Sequence, residues 1–127
     1  MIRLLLVFIG GGLGSLARFG LARWVQFSTG TIFPWGTLIV NIISCFILGL
    51  TLGLFNQKVL SNPDTRLFIG VGFCGGFSTF STFSLETVEL FRTGETAYAL
   101  LYIALSIIAC MAFILLGMLS TKLINLN

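Results

Sequence analysis

The segment with the most unusual side chains is the third apolar run, where two glycines precede alternating phenylalanine and hydroxyl residues. Gly75 and Gly76 stand in mid-run, and the tandem Phe-Ser-Thr-Phe-Ser-Thr-Phe occupies residues 77–83. Phe80 and Phe83 are three residues apart and share one helix face. Ring edges carry positive partial charge and hydroxyls donate hydrogen bonds. The pattern indicates a polar seam that can hold an anion, with core packing as the ordinary alternative.

Further neutral donors occur on two other apolar runs. Asn41 interrupts the second run, and Tyr102, Ser106 and Cys110 recur every four residues on the fourth. A buried amide in lipid is costly unless it has a partner. These groups can face an anion, or they can hydrogen-bond between helices, and spacing alone favours the second interpretation for the fourth run.

A small, strongly hydrated anion must exchange its water for donors without being trapped. Neutral donors at several positions meet this demand, whereas a buried lysine or arginine would bind too tightly for conduction. Arg18, near the end of the first run, can raise the local anion concentration at a mouth. An ordinary interfacial arginine is the alternative.

Composition places the chain in a membrane and excludes several classes of function. Hydrophobic residues make up 57% of the 127 residues and charged residues 9%, against about 25% charged in soluble domains. The net charge is +3, but the basic residues are scattered singly, which excludes a nucleic-acid face. Histidine is absent and the three cysteines lie in apolar runs. A disulfide framework, a zinc site and histidine-based catalysis are therefore not expected.

Charged residues divide the chain into four apolar spans, at about residues 3–25, 34–55, 66–91 and 96–122. Each is near the roughly 20 residues that a bilayer requires. The prediction is an all-α membrane protein, with residues 1–127 forming a single domain of four transmembrane helices.

The third helix is predicted to break at Gly75-Gly76. Glycine weakens a helix by about 1 kcal/mol relative to alanine. Carbonyls freed at mid-membrane must face protein, a cavity or an ion, and broken helices often mark ion sites. The alternative is a glycine pair that permits a tight helix crossing.

The basic residues are almost evenly divided between the two faces of the membrane. Four spans place both termini on one side, and the two sides hold four and three basic residues: Arg3, Lys58, Arg66 and Lys122, against Arg18, Arg23 and Arg92. A difference of one is too small to orient a chain by the positive-inside rule. Two interpretations are equally compatible with the charges. The chain inserts in both orientations and forms antiparallel dimers, or one loop sets a single orientation.

Four packed helices leave little room for a hydrophilic route, which would most naturally lie between two subunits. Gly10-x-x-x-Gly14 on the first span and Gly49-x-x-x-Gly53 on the second offer close helix approach.

Three stretches resemble the signatures of the Fluc/CrcB family of fluoride ion channels: residues 10–18 (GGGLGSLAR), 36–41 (GTLIVN) and 75–84 (GGFSTFSTFS). The resemblance covers the whole chain, including its length and number of spans. It implies an antiparallel, dual-topology homodimer with two pores in the bacterial plasma (inner) membrane.

The resemblance also implies roles for individual residues. Those that match the family's fluoride pathway are Asn41, Phe80, Phe83, Tyr102 and Ser106, with Thr37, Thr79 and Cys110 as further candidates. Arg18 would lie in a vestibule. Cys110 stands where many members have serine, and a thiol is the weaker donor. The backbone carbonyls of Gly75 and Ser78 match positions that hold a structural Na⁺ at the dimer interface, Ser78 standing where many members have threonine.

The resemblance implies passive export of fluoride that lowers its cytoplasmic concentration, and no enzymatic activity. The alternative is a dual-topology small multidrug transporter-like protein, which needs an acidic residue in the first span, whereas no Asp or Glu precedes Asp64. A membrane enzyme would have to use Glu86 and Glu89, which lie near a span end and have interfacial capping as their ordinary role. A structural subunit is less compatible with Asn41 and the hydroxyl seam.

Overall fold

The computed structural model describes residues 1–58 and 60–124. It contains four helical rods, each long and apolar enough to cross a membrane: Ile2–Thr29, Trp35–Asn56, Pro63–Arg92 and Thr96–Leu123. A bilayer core of about 30 Å needs about 20 helical residues, which each rod supplies. The predicted all-α architecture with four transmembrane helices is confirmed.

A short loop connects α1 (Ile2–Thr29) to α2 (Trp35–Asn56). α1 ends where Gly30 takes a left-handed φ of 59° and donates its N–H to the carbonyl of Gln26. Glycine adopts this conformation without steric cost. The Gln26 side chain then accepts a hydrogen bond from the N–H of Gly36 at 3.3 Å, so one residue ties the end of α1 to the start of α2.

The third span is a composite. It consists of α3 (Pro63–Arg66), a π-helical segment (Leu67–Cys74), α4 (Gly75–Phe77) and, after two extended residues, α5 (Phe80–Arg92). The fourth span is α6 (Thr96–Ile124). The extended residues are Ser78, with ψ 159°, and Thr79, with φ −151°. The interruption of the third span is confirmed, but it lies at Ser78 and Thr79, whereas Gly75-Gly76 remains helical.

Side-chain partners, and not glycine flexibility, determine where the helix breaks. Gly76 lies so close to α1 that a Cβ there would overlap the carbonyl oxygen of Gly11. The alternative interpretation of the glycine pair, a tight crossing, therefore holds for Gly76. The break coincides with Thr79, whose peptide group is hydrogen-bonded by the Asn41 side chain. The Thr79 hydroxyl also accepts from the N–H of Thr82, capping α5.

α2 and α6 pack side by side in the same direction. A Cβ on Gly49 would overlap the carbonyl oxygen of Ile114, and one on Gly53 would overlap the side chain of Thr121. Small residues allow helix backbones this approach in membranes, where no hydrophobic force drives helices together. The second predicted glycine pair is thus used within the chain.

The first glycine pair is also used within the chain. Gly10 faces the backbone of Phe68 in the π-helical segment, and a Cβ on Gly14 would overlap the carbonyl oxygen of Phe73. α1 therefore packs directly on the first half of the third span. Because both glycine pairs are occupied in one protomer, neither remains free to bring two protomers together.

Large apolar side chains cover the outside of the rods. Several are well over half exposed: Leu4, Phe8, Leu16, Phe80, Ile108 and Leu115. In a chain with four membrane-spanning helices, lipid or a second protein molecule covers such a surface.

Candidate functional site

A cavity of about 360 Å³ lies between α2, the break in the third span and α6. Its lining consists of Asn41, Cys45, Ser78, Thr79, Phe80, Phe83, Ser106, Ile107, Cys110 and Met111. The structure thus brings together most of the predicted pathway residues, which come from three separate spans. Cys45 and Met111 also line the cavity, although the sequence pattern did not single them out.

The side-chain amide of Asn41 is hydrogen-bonded to the backbone at the helix break. The N–H of Thr79 donates to Asn41 Oδ1 at 2.8 Å, and Asn41 Nδ2 donates to the Thr79 carbonyl at 3.2 Å. The side-chain NH₂ group carries two N–H bonds, of which the carbonyl takes one. Asn41 therefore serves as a link between helices and can still offer a donor to the cavity.

Ser106 presents an unsatisfied hydroxyl group. The residue is 8% exposed, and its Oγ has no hydrogen-bond partner within the described part of the chain. Leaving a buried polar group unpaired costs about 1–3 kcal/mol. Because Ser106 lines the cavity, its hydroxyl is a candidate hydrogen-bond donor to an anion bound there.

The two predicted aromatic rings lie together but differ in their surroundings. The ring centroids of Phe80 and Phe83 are 5.6 Å apart, with the planes inclined by 41°. Phe83 is partly buried and packs on the ring of Tyr102, whose centroid is 5.0 Å away. Phe80 is 79% exposed, so its outer side is open in a single protomer.

A second cavity, of about 530 Å³, adjoins the break on its other side. It is lined by Arg18, Phe19, Ala22, Arg23, Gln26, Gly36, Thr37, Thr79, Thr82 and Glu86. Thr79 lines both cavities. Arg18 is where a vestibule residue was predicted, but it is also anchored, because its Nε donates to the carbonyl of Gly76 at 3.1 Å. The structure thus places two arginines at this cavity.

Glu86 is a polar residue whose position in the site was missed. Its carboxylate accepts hydrogen bonds from Thr37 Oγ1 at 2.8 Å and from Tyr102 Oη at 2.7 Å. Interfacial capping is therefore the wrong interpretation of Glu86, because its oxygens face two hydroxyls between helices. Its spacing of three from Phe83 was the available signal. Thr37 lines the second cavity, and Tyr102 is fully buried behind Phe83, so neither belongs with Ser106 in the first cavity.

The carbonyls of Gly75 and Ser78 have lost their usual partners. In an α-helix the N–H of residue i+4 bonds the carbonyl of residue i. For Gly75 that donor is Thr79, which bonds Asn41 Oδ1 instead, and for Ser78 it is Thr82, which bonds the Thr79 hydroxyl. Carbonyl oxygens are the kind of ligand that hard cations prefer. The described residues contain no cluster of three or more His, Cys, Asp or Glu side chains that could hold a metal ion.

Four spans, an interrupted third span and a cavity lined by neutral polar groups define a multi-pass membrane protein with a polar site between its helices. The chain belongs to the CrcB family, because residues 5–118 match the family described as "CrcB-like protein, Camphor Resistance (CrcB)".

Curated relatives match between 79% and 95% of the chain. The fluoride-specific ion channel FluC of one Thermus thermophilus strain is 54% identical over 100 residues, which cover 79% of this chain and 78% of that protein. FluC of Rhizobium etli is 42% identical over 118 residues, covering 93% and 94%. FluC of Hahella chejuensis is 40% identical over 121 residues, covering 95% of each.

Proposed function

We propose that this protein is a fluoride-specific ion channel of the bacterial plasma membrane. It lets fluoride leave the cytoplasm passively and catalyses no reaction. The observation that carries the proposal is the buried Ser106 hydroxyl, which has no partner among residues 1–58 and 60–124 and belongs to a cavity that Asn41 also lines. Relatives at up to 54% identity are named fluoride-specific ion channels.

The chemistry of the cavity suits fluoride among the halides. Fluoride is small and strongly hydrated, so it needs several donors in place of its water. Asn41 and Ser106 supply N–H and O–H donors, and the Phe80 and Phe83 edges supply weaker positive charge. None of these groups is ionised, which keeps binding weak enough for release.

The second cavity supports the proposal as an entrance. Arg18 and Arg23 line it and give it positive charge, which raises the local concentration of an anion. Thr37 and Thr79 provide hydroxyls between this entrance and the break. Tyr102 acts through Glu86 and Phe83, which it holds in place, so its predicted role in the pathway becomes one of positioning.

The assembly that fits best is the predicted antiparallel homodimer. Phe80 is 79% exposed beside the cavity, and a Cβ on Gly75 would meet nothing within 4 Å. A second copy can therefore cover both residues and complete the wall of the pathway. The near balance of basic residues on the two sides permits insertion in both orientations.

A structural Na⁺ at the dimer interface would take the carbonyls of Gly75 and Ser78 from each subunit. The ion would supply positive charge that holds two interrupted helices together and satisfies carbonyls that lipid cannot. This proposal is supported by the N–H groups that would normally bond these carbonyls. One donates to Asn41 and the other to the Thr79 hydroxyl instead.

The alternative of a small multidrug transporter is not favoured. Proton-coupled export of cations needs a membrane-embedded acid in the first span, and no acidic residue precedes Asp64. Glu86 is the one acid that lines either of the two cavities beside the break, and both of its oxygens are engaged by hydroxyls.

Efflux from liposomes tests the function. Purified protein is reconstituted with potassium fluoride or potassium chloride inside, and efflux is followed with ion-selective electrodes after addition of a potassium ionophore. We expect rapid fluoride efflux and chloride efflux at the rate of empty liposomes. Equal efflux of both halides, or none of either, would refute a fluoride-specific channel.

A tag beyond residue 127 tests the orientation. It should be reachable from both sides of the membrane in different molecules, and two or three lysines added to one side should bias the population. Access from one side alone, with fluoride efflux retained, would contradict the antiparallel dimer.

A further inference from the structure

Three sulfur-containing side chains line the cavity of about 360 Å³ beside the break. Cys45 comes from α2, and Cys110 and Met111 come from α6. Cys45 and Cys110 therefore reach the same cavity from different helices. The cavity is lined by two thiols and one thioether.

The helix packing brings the two cysteines to the same level of the bundle. Cys45 is four residues before Gly49, and Cys110 is four residues before Ile114. Gly49 and Ile114 are in backbone contact where α2 and α6 cross. Because the two helices run in the same direction, one turn back from this contact brings the two cysteines together.

The third cysteine of the chain has a different environment. Cys74 is 3% exposed and does not belong to the lining of this cavity. Its carbonyl accepts from Ser44 Oγ at 3.2 Å, inside the contact between α2 and the π-helical segment. It therefore serves as a matched buried thiol without a sulfur partner in the cavity.

Thiolate and thioether sulfurs are soft ligands that select soft metal ions, Cu(I) and Ag(I) among them. Hard cations prefer oxygen, which the three sulfurs do not provide. We propose that Cys45, Cys110 and Met111 form a binding site for a soft monovalent metal ion, and that an ion bound there closes the cavity to fluoride. The second half of this proposal rests on the proposed function.

The charge of the site does not change when the ion binds. One thiol loses its proton to water and binds the ion as a thiolate, while the other thiol and the thioether donate as neutral ligands. A monovalent cation has then replaced one proton, and no oxidant or reductant is consumed. This balance matters within a membrane, where net charge is costly.

Silver is the probe of choice, because Ag⁺ keeps its oxidation state without a reductant and its fluoride salt is soluble. Purified protein in chloride-free nitrate buffer is treated with silver nitrate and desalted, and silver per chain is measured by mass spectrometry. We expect about one tightly held ion per chain. Fluoride efflux from liposomes, measured in parallel, should fall at least about tenfold at saturating silver.

The variants locate the ion. Cys45→Ser and Cys110→Ser should each weaken silver binding at least about tenfold, and Met111→Leu should weaken it less. Cys74→Ala should bind silver as the unmodified chain does. Inhibition is expressed as a fraction of each variant's own efflux, because Cys45 and Cys110 line the cavity.

Silver binding tests the proposed metal site, and fluoride efflux tests whether the bound ion closes the cavity. Unchanged binding in both cysteine variants, or equal loss in Cys74→Ala, would overturn the proposed site. Silver binding that depends on Cys45 and Cys110 while fluoride efflux continues would support the site and contradict closure of a fluoride route through this cavity.

Discussion

The side-chain amide of Asn41 hydrogen-bonds both backbone polar groups of Thr79, the residue that it faces at the helix break. The N–H of Thr79 donates to Asn41 Oδ1 at 2.8 Å, and Asn41 Nδ2 donates to the Thr79 carbonyl at 3.2 Å. The two residues are 38 positions apart in the chain. Their hydrogen bonds satisfy backbone groups that the helix break exposes. In lipid such groups must find a protein partner, so the break depends on Asn41.

Replacement of Asn41 by aspartate should damage both conduction and the break. Aspartate keeps an acceptor for the Thr79 N–H but sets a carboxylate oxygen against the Thr79 carbonyl. We expect fluoride efflux to fall by about a hundredfold and stability by about 1–3 kcal/mol. Ser44→Ala is the control, since it removes an interhelical hydrogen bond, to the Cys74 carbonyl, outside both cavities. Equal efflux in the two variants would reduce Asn41 to a structural link.

Ser106→Ala should lower efflux without lowering stability. The Ser106 hydroxyl has no partner within the described chain, so its removal relieves a desolvation cost and should leave the melting temperature equal or higher. Efflux should fall about tenfold, because one donor to the anion is lost. Ser120→Ala, which removes an exposed hydroxyl from the same helix, should change neither quantity. Normal efflux in Ser106→Ala would exclude the hydroxyl from the pathway.

Substitutions of Phe80 and Phe83 should distinguish the effect of the ring's charge distribution from the effect of its volume. Isoleucine retains apolar volume but lacks the positive ring edge, so Phe80→Ile and Phe83→Ile should each reduce fluoride efflux. Their effects on stability should differ. Phe83 packs on Tyr102, and its loss should cost about 0.5–1.5 kcal/mol more than the loss of Phe80, which is 79% exposed. Near-normal efflux in both variants would mean that the rings only fill space.

Neighbouring glycines should respond to substitution in different ways. Gly76→Ala places a Cβ against the carbonyl of Gly11 and should prevent proper folding of the protomer. Gly75 has helical φ −64° and open space around a Cβ, so backbone restriction is not the reason it should be sensitive. Gly75→Val should leave the protomer folded but block dimer formation, as measured by cross-linking and size exclusion. Normal dimer formation by Gly75→Val would argue against an interface at this position. Substitution of the Ser78 side chain should change dimer formation little.

Glu86 and Tyr102 should be energetically coupled. Glu86→Gln replaces one of the two acceptor oxygens with an NH₂ group, so one of the two hydroxyls loses the acceptor to which it donates. Tyr102→Phe removes the hydroxyl that donates at 2.7 Å. Each variant should lose about 1–3 kcal/mol, and the double variant should lose less than the sum. Chemical unfolding in detergent measures all three. Additive losses would show that this hydrogen bond contributes nothing of its own.

Several features followed from the sequence because they depend on the local composition of the chain. Runs of apolar residues between single charges predicted four spans, since lipid admits a helix only when its side chains are apolar. The recurrence of Tyr102, Ser106 and Cys110 at helical spacing predicted a shared stripe. Ser106 and Cys110 line one cavity, whereas Tyr102 is buried outside it. An interruption of the third span was also predicted, from its glycine cluster, although Gly75-Gly76 itself remains helical.

Only the tertiary structure decided what depends on how helices cross. The break lies at Thr79 and not at Gly75-Gly76, because Asn41 reaches it from α2, 38 residues away in the chain. The hydrogen bonds of Glu86 with Thr37 and Tyr102 likewise join residues of separate spans. Cys45 and Cys110, also from separate spans, line one cavity. No local pattern encodes such contacts. They arise where small residues let two backbones approach, and the angle of that approach selects which polar side chains meet.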